Sequence, residues 1–269
     1  MNATLSAIYF LLGGSSAHAA TLEGVSAGPQ PLADEALLVE RLAPFCGATV
    51  AVAQEVDASV FQTEGCDIVL IPEFGLLSVQ VLQDPSGESV KFDSAELDRR
   101  TLLDVDLLEA LGFDPAEFSA VGTSQLGVQD KDVGAGGVMP APRYLASKTL
   151  IERRFDGLSV LGNRAVVTRD QDGNLLKINA AWPVFDETTI LSVSDSTVAD
   201  AAGAASLTRN EVVSSEPVLV IGTIVNSVVT TGVVCVEAVQ LMDGPNGSVK
   251  PSARYYVDGR DVDPREVTP

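Results

Sequence analysis

Three groups of side chains could do chemistry by type and spacing: paired carboxylates, three cysteines and one polar turn. Asp104 and Asp106 stand in Leu103-Asp104-Val105-Asp106. Further oxygens gather in Asp170-Gln171-Asp172-Gly173-Asn174 and in Asp258-Gly259-Arg260-Asp261-Val262-Asp263. Two carboxylates facing one another can hydrolyse a glycosidic bond. Asp104 and Asp106, however, lie two apart on an expected helix and do not face each other, so they read as a solvated helix face. Clustered oxygens can also hold calcium, but neither Asp-rich run fits D-x-[DN]-x-[DN]-G with a Glu at the twelfth position. The first run reads as a hairpin turn, and Arg260 interrupts the second. No metal or other cofactor is expected.

Histidine chemistry has little to stand on. The one histidine is His18. It falls inside a stretch that reads as a secretory signal, in which the apolar Ala7 to Leu12 precedes small residues and Ala17-His18-Ala19 fits an A-x-A site before Ala20. One feature departs from that pattern, because no Lys or Arg occurs before Arg41. Removal of residues 1–19 leaves a chain without histidine, which excludes Ser-His-Asp triads and His-ligated zinc. G-x-S-x-G and S-x-x-K are absent, and the Gly134 to Gly137 run lacks the phosphate-loop pattern. The chain is therefore expected not to be an enzyme.

Export also bears on the cysteines. Cys46, Cys66 and Cys235 allow three single pairs, and the spacing favours Cys46–Cys66, a loop of about 20 residues worth roughly 3 kcal/mol in the chain-entropy picture. Cys235 sits in the apolar VVCVEAV and is expected to remain a reduced, buried thiol.

The 269 residues carry 37 acidic and 17 basic side chains, a formal charge of −20. Such a balance argues against nucleic acid and anionic membrane surfaces, which demand basic patches. No apolar run reaches the ~20 residues of a spanning helix. A chain 46% apolar but only 5% aromatic, with valine prominent, favours strands over large aromatic pockets.

These residues need elements to hold them. Asp34 to Leu42 reads as a short amphipathic helix stopped by Pro44. Ala48 to Ala53 and Asp67 to Ile71 read as strands. Leu76 to Gln83 and Glu88 to Phe92 flank the turn Asp84-Pro85-Ser86-Gly87. Asp93 to Glu96 has capping-box spacing, and a helix follows to Gly112. Residues 121–143, rich in Gly and Pro, read as a linker between an N-terminal part (20–120) and a C-terminal part (144–269). In the second part, Ser147 to Phe155 is strand-like. Arg164 to Arg169 and Leu175 to Ala181 form a hairpin about Asp172-Gly173. Asp195 to Ala205 reads as a helix. Pro217 to Val229, Gly232 to Met242 and Ala253 to Val257 read as a meander. No short-period repeat is visible. The fold class is α+β: a twisted antiparallel sheet with packed helices, in two parts.

Ile151 to Pro183, IERRFDGLSVLGNRAVVTRDQDGNLLKINAAWP, resembles the propeptide-type (PepSY-like) domains that precede thermolysin-like and fungalysin-like metalloproteases. Arg154, the run Gly157 to Gly162 and the turn Asp170 to Gly173 carry the likeness. Gly157 and Gly162 allow unusual backbone conformations beside a short strand, Asp172-Gly173 suits a tight turn, and Trp182 before Pro183 can cap the sheet. H-E-x-x-H is missing, so the resemblance implies a stand-alone or degenerate module, expected to carry no protease. The resemblance implies a secreted binding module that inhibits or helps fold an exported hydrolase. Arg169 and Lys177, basic residues on an expected exposed face, are the candidate contacts. The second expectation is an acidic structural or cation-holding protein of the cell envelope.

Overall fold

The computed structural model describes residues 20–22, 35–54, 58–128, 141–155, 158–185, 191–193, 212–225, 228–243, 249–257 and 260–263. Two α-helices lie among them, against fifteen strands, so sheet dominates this mixed α and β fold.

The described residues open with β1 (Ala20–Leu22) and then build a helix followed by four strands, twice. The first unit is α1 (Glu35–Cys46), β2 (Thr49–Gln54), β3 (Ser59–Thr63), β4 (Cys66–Ile71) and β5 (Leu76–Val81). The second is α2 (Ser94–Leu111), β6 (Phe118–Val128), β7 (Arg143–Phe155), β8 (Leu158–Asp170) and β9 (Leu175–Ala181). Neighbours in each unit pair antiparallel, and β5 pairs antiparallel with β9. The strand order is β2-β3-β4-β5-β9-β8-β7-β6, so the second unit mirrors the first about the β5–β9 seam. The repeat is architectural and its period is long, which is why short-period self-similarity does not reveal it.

Both helices cover one face. In α1, Leu38, Leu42 and Cys46 recur every four residues and are buried, as an amphipathic stripe requires. In α2, Leu107, Leu108 and Leu111 are buried, and they join α1 and the inward residues Ile68, Leu70, Leu77, Val79, Val167 and Ile178 in a single core. Full burial of each such side chain stabilises the fold by about 1.5–3 kcal/mol. The Asp93 side chain caps α2 by accepting from Glu96 N at 2.8 Å, while Gly112 ends it at φ 99°. The expected reciprocal half of the capping box does not form, because the Glu96 carboxylate receives Arg99 and Arg100 instead.

Trp182 closes one end of the seam. It is 1% exposed. Its ring stands edge-on to Phe113 and Phe118, and its Nε1 donates to Glu117 at 2.9 Å. Its backbone N donates to Gly75 O at 2.8 Å. Gly75 has φ 61°, and a Cβ there would lie 2.5 Å from Pro183 Cα, so only glycine fits this approach.

Beyond Trp182 come β10 (Val184–Phe185), β11 (Leu191–Val193), β12 (Val212–Val225), β13 (Val228–Asp243), β14 (Val249–Val257) and β15 (Arg260–Val262). The last four form an antiparallel meander, with β15 added to the three expected strands. Its first reversal falls earlier than expected, since Val225 already lies opposite Val228. The meander joins the main sheet where β12 runs parallel to β8 at Ser159 and Val160. β10 pairs parallel with β13, and β1 pairs with β11 apart from the main sheet.

Four expectations need correction. Residues 121–128, assigned to the linker, are strand β6, which pairs with β7 along its length. Gly122 and Gly127 there sit at exposed positions, where the strand does not require a side chain. The core likewise draws on residues before and after that boundary. Pro44 does not stop α1, which runs on to Cys46. Residues 88–92 form no strand; the Gln125 side chain holds Phe92 N and Val90 O instead. The signal (1–19), linker residues 129–140 and the Asp195–Ala205 helix lie outside the described residues, while the linker's last residue, Arg143, already begins β7.

Candidate functional site

The helix-covered face of the sheet is occupied by its own polar network. Asp104 is 1% exposed, not solvated as its spacing suggested. It accepts from Thr149 Oγ1 and, at 2.5 Å, from Arg169 Nε. Arg169 is 8% exposed and also donates to Gly173 O. Arg169 therefore cannot be a contact residue on the open surface. Thr168, its neighbour, is the residue opposite Lys177, so Arg169 and Lys177 lie on opposite faces of the sheet. Arg100, four residues before Asp104 on the same stripe of α2, is buried too. Its guanidinium donates to Asp170 O, Gln171 O and Ser147 Oγ, and it lies over the Phe92 ring. Spacing of four with Asp104 and the buried leucines was the available signal for this inward pair.

Arg100 thus fastens the hairpin turn from below. Within the turn, Gly173 has φ 92° and its N donates to Asp170 O. Asp170 accepts from Asn174 N and Nδ2 and from Ser86 N and Oγ. Burial alone would raise the Asp170 carboxyl, but these hydrogen bonds outweigh it and hold the group below its ordinary range. Asp172 is exposed, and its Oδ2 lies 2.8 Å from the same Ser86 Oγ, whose single proton the two carboxylates share. The Asp170 oxygens considered for calcium are therefore committed to protein donors. In the second Asp-rich run, Asp261 pairs with Arg254. No group of three or more His, Cys, Asp or Glu side chains assembles for a metal among the described residues.

No helix among the described residues covers the other face of the main sheet. Strand alternation and register place its side chains in rows. One row runs Lys148, Thr168, Lys177 and Gln80 across β7, β8, β9 and β5. The next is Leu150, Val166, Asn179 and Ser78, in which Ser78 Oγ donates to Asn179 at 3.0 Å. The third is Glu152, Arg164, Ala181 and Leu76. A depression of 450 Å³ lies among them, bounded by Lys148, Arg164, Val166, Leu76 and Ile71. Lys148, Arg164 and Lys177 make no ion pair with a described residue. Three unpaired cations thus stand around apolar side chains in a chain of charge −20.

A second cleft of 360 Å³ adjoins this face and shares Arg164 and Glu152 with the rows. It lies where Gly162, at φ 80°, bends β8 toward the meander, with Val218 and Glu237 on its far side. A Cβ on Gly162 would meet nothing within 4 Å, so its requirement is conformational. Arg153 beneath is fully buried between the Trp182 and Phe185 rings and pairs with Glu117 at 2.8 Å. Burial pushes its guanidinium down from its usual range, and Glu117 pulls against that shift. Gly157 lies outside the described residues.

The cysteines behave as expected. Cys46 and Cys66 form the disulfide, with Cα atoms 5.0 Å apart, tying the end of α1 to β4. Thr63 Oγ1 donates to Cys46 O across the same junction. Cys235 is a buried free thiol packed with Val218 and Val220, and burial pushes it up to about 11. No described helix is long and apolar enough to cross a membrane.

No protein-family model matches the chain, and neither the curated proteins nor the solved structures contain a significant match.

Proposed function

We propose that the chain is a secreted, non-catalytic binding module that docks an exported hydrolase on the helix-free face of its main sheet, restraining it or assisting its folding. The observation that carries this reading is the contrast between the two faces. Polar groups on the helix side, Asp104, Arg169 and Arg100, are consumed by internal bonds. On the open side, Lys148, Arg164 and Lys177 surround Leu150 and Val166 with their charges uncommitted. Unspent cations beside exposed apolar groups are what a partner surface can use, whereas a face serving solubility alone needs no such apolar neighbours. The propeptide resemblance of Ile151 to Pro183, which supplies β8 and β9 of this face, supports the same reading.

Its test is retention of exported hydrolases from the host's culture fluid by immobilised protein, with inhibition assayed in parallel. Wild type is expected to retain and slow at least one hydrolase, and a Lys148→Glu, Arg164→Glu, Lys177→Glu variant to lose it while melting normally. Retention of none by the wild type, or equal retention by the variant, would overturn the reading in favour of an acidic envelope protein.

A further inference from the structure

We infer that the open face receives an extended partner segment reading acidic–x–apolar–x–acidic. The inference rests on the docking reading above and names the chemistry of the docked segment. Along β8, Arg164, Val166 and Thr168 share the helix-free side. Lys148 on β7 and Lys177 on β9 both lie opposite Thr168. Strand spacing puts these two lysines about 10 Å apart, and puts Arg164 about 13 Å from their row. Between cationic ends lie Val166 and its cross-strand neighbour Leu150. An extended chain advances about 6.6–6.8 Å for every two residues on one side. Carboxylates at i and i+4 therefore span about 13 Å, matching the distance from Arg164 to the lysine pair, and the side chain at i+2 falls over Val166.

Charge decides the sign of the segment. Glu152 lies opposite Arg164 without forming an ion pair, so the guanidinium remains free to take a carboxylate in its planar fork. At the other end, flexible lysine stems can converge on one anion. The rest of the chain is strongly acidic, but its repulsion is screened beyond about 8 Å at physiological ionic strength. The partner's carboxylates must then be confined to the segment touching these cations, since a broadly acidic partner would be repelled by everything around them.

The experiment is an amide NMR titration of the full chain with capped heptapeptides TETVTET, TQTVTQT and TETTVET, the last with the same composition and a displaced valine. TETVTET is expected to shift the amides of β7, β8 and β9 around Lys148, Arg164 and Lys177 in a saturable way. TQTVTQT should bind roughly fivefold to tenfold more weakly, as loss of two exposed charge contacts implies. TETTVET should also bind more weakly. Arg164→Gln and the pair Lys148→Gln, Lys177→Gln should each reproduce the loss, while Arg99→Gln, on α2 across the sheet, should not. Equal binding of the glutamine peptide, or shifts mapping elsewhere, overturns the inference. So does a dimer in wild-type protein that Lys148→Glu dissociates, because a second copy then fills the face. If a hydrolase is retained by the immobilised protein but TETVTET does not bind, the segment rule fails and the docking reading stands.

Discussion

Asp104 on α2 and Arg169 at the end of β8 form a buried ion pair, with Arg169 Nε 2.5 Å from Asp104 Oδ1. The pair locks the helix to the hairpin, because Arg169 also donates to Gly173 O in the turn. Breaking one side leaves a buried charge alone. Asp104→Ala should cost about 3–5 kcal/mol in urea unfolding. Asp104→Leu with Arg169→Met should cost much less than the two single changes summed, since no charge is then stranded. A double variant as unstable as that sum would mean that the pair does not act as a unit.

Two glycines with positive φ separate strain from space. Gly173→Ala should cost about 1–2 kcal/mol, a conformational cost, because the added Cβ meets only Arg100 Nη2 at 4.0 Å. Gly75→Ala should cost more, because its Cβ would lie 2.5 Å from the Pro183 backbone. Gly173→Asn should be milder than either, since Asn tolerates the left-handed region. Chemical denaturation of the three variants ranks them.

Acid should loosen the turn. Asp170 is held below its ordinary range in the fold, and Glu96 is pushed down to about 2 by hydrogen bonds from Arg99 and Arg100. A carboxylate with a depressed folded pKa contributes stability that is present above its unfolded value of about 4 and lost as pH falls through the folded value. Unfolding free energy should therefore fall from about pH 5 toward pH 2. Asp170→Asn should be less stable at neutral pH and show a shallower fall across that window. An unchanged slope would remove Asp170 from the account.

The thiols should be cleanly divided. Reduction of Cys46–Cys66 should cost about 3 kcal/mol. Cys235, buried and raised to about 11, should resist iodoacetamide at pH 8 in the native protein and react at once in urea. Rapid labelling of the folded chain would show that β12 and β13 open around it.

The disulfide, the cap at Asp93, the hairpin turn and the meander were legible because each depends on local chemistry: cysteine spacing, an N-cap, Asp-Gly and valine-rich strands. The β6 strand was not, since its two glycines are exposed and its inward positions are the polar Thr123 and Gln125, so no alternation of apolar residues marks it. The orientation of Arg169 was not legible either. Alternation tells which residues share a face, but the burial of an arginine depends on a carboxylate 65 residues away. The candidate surface was half visible: Lys177 belongs to it, but Lys148 and Arg164 join it only through cross-strand register.

The seam between β5 and β9 joins the last strands of the two units, with Leu76 beside Ala181 and Gln80 beside Lys177. Every other contact of the eight-stranded sheet links strands adjacent in the chain. Each unit can thus zip up its hairpins early, while the seam must wait for closure of a loop of roughly 100 residues, an entropic cost that grows slowly with length but falls on this one step. Until then β5 stands as a bare edge, its apolar Leu77 and Val79 uncovered on one side by the missing half of the core. The interval before the seam closes is when a newly made chain is most exposed to aggregation and to proteases, and a substitution such as Val79→Ala would lengthen that interval in proportion to its part in the closing step.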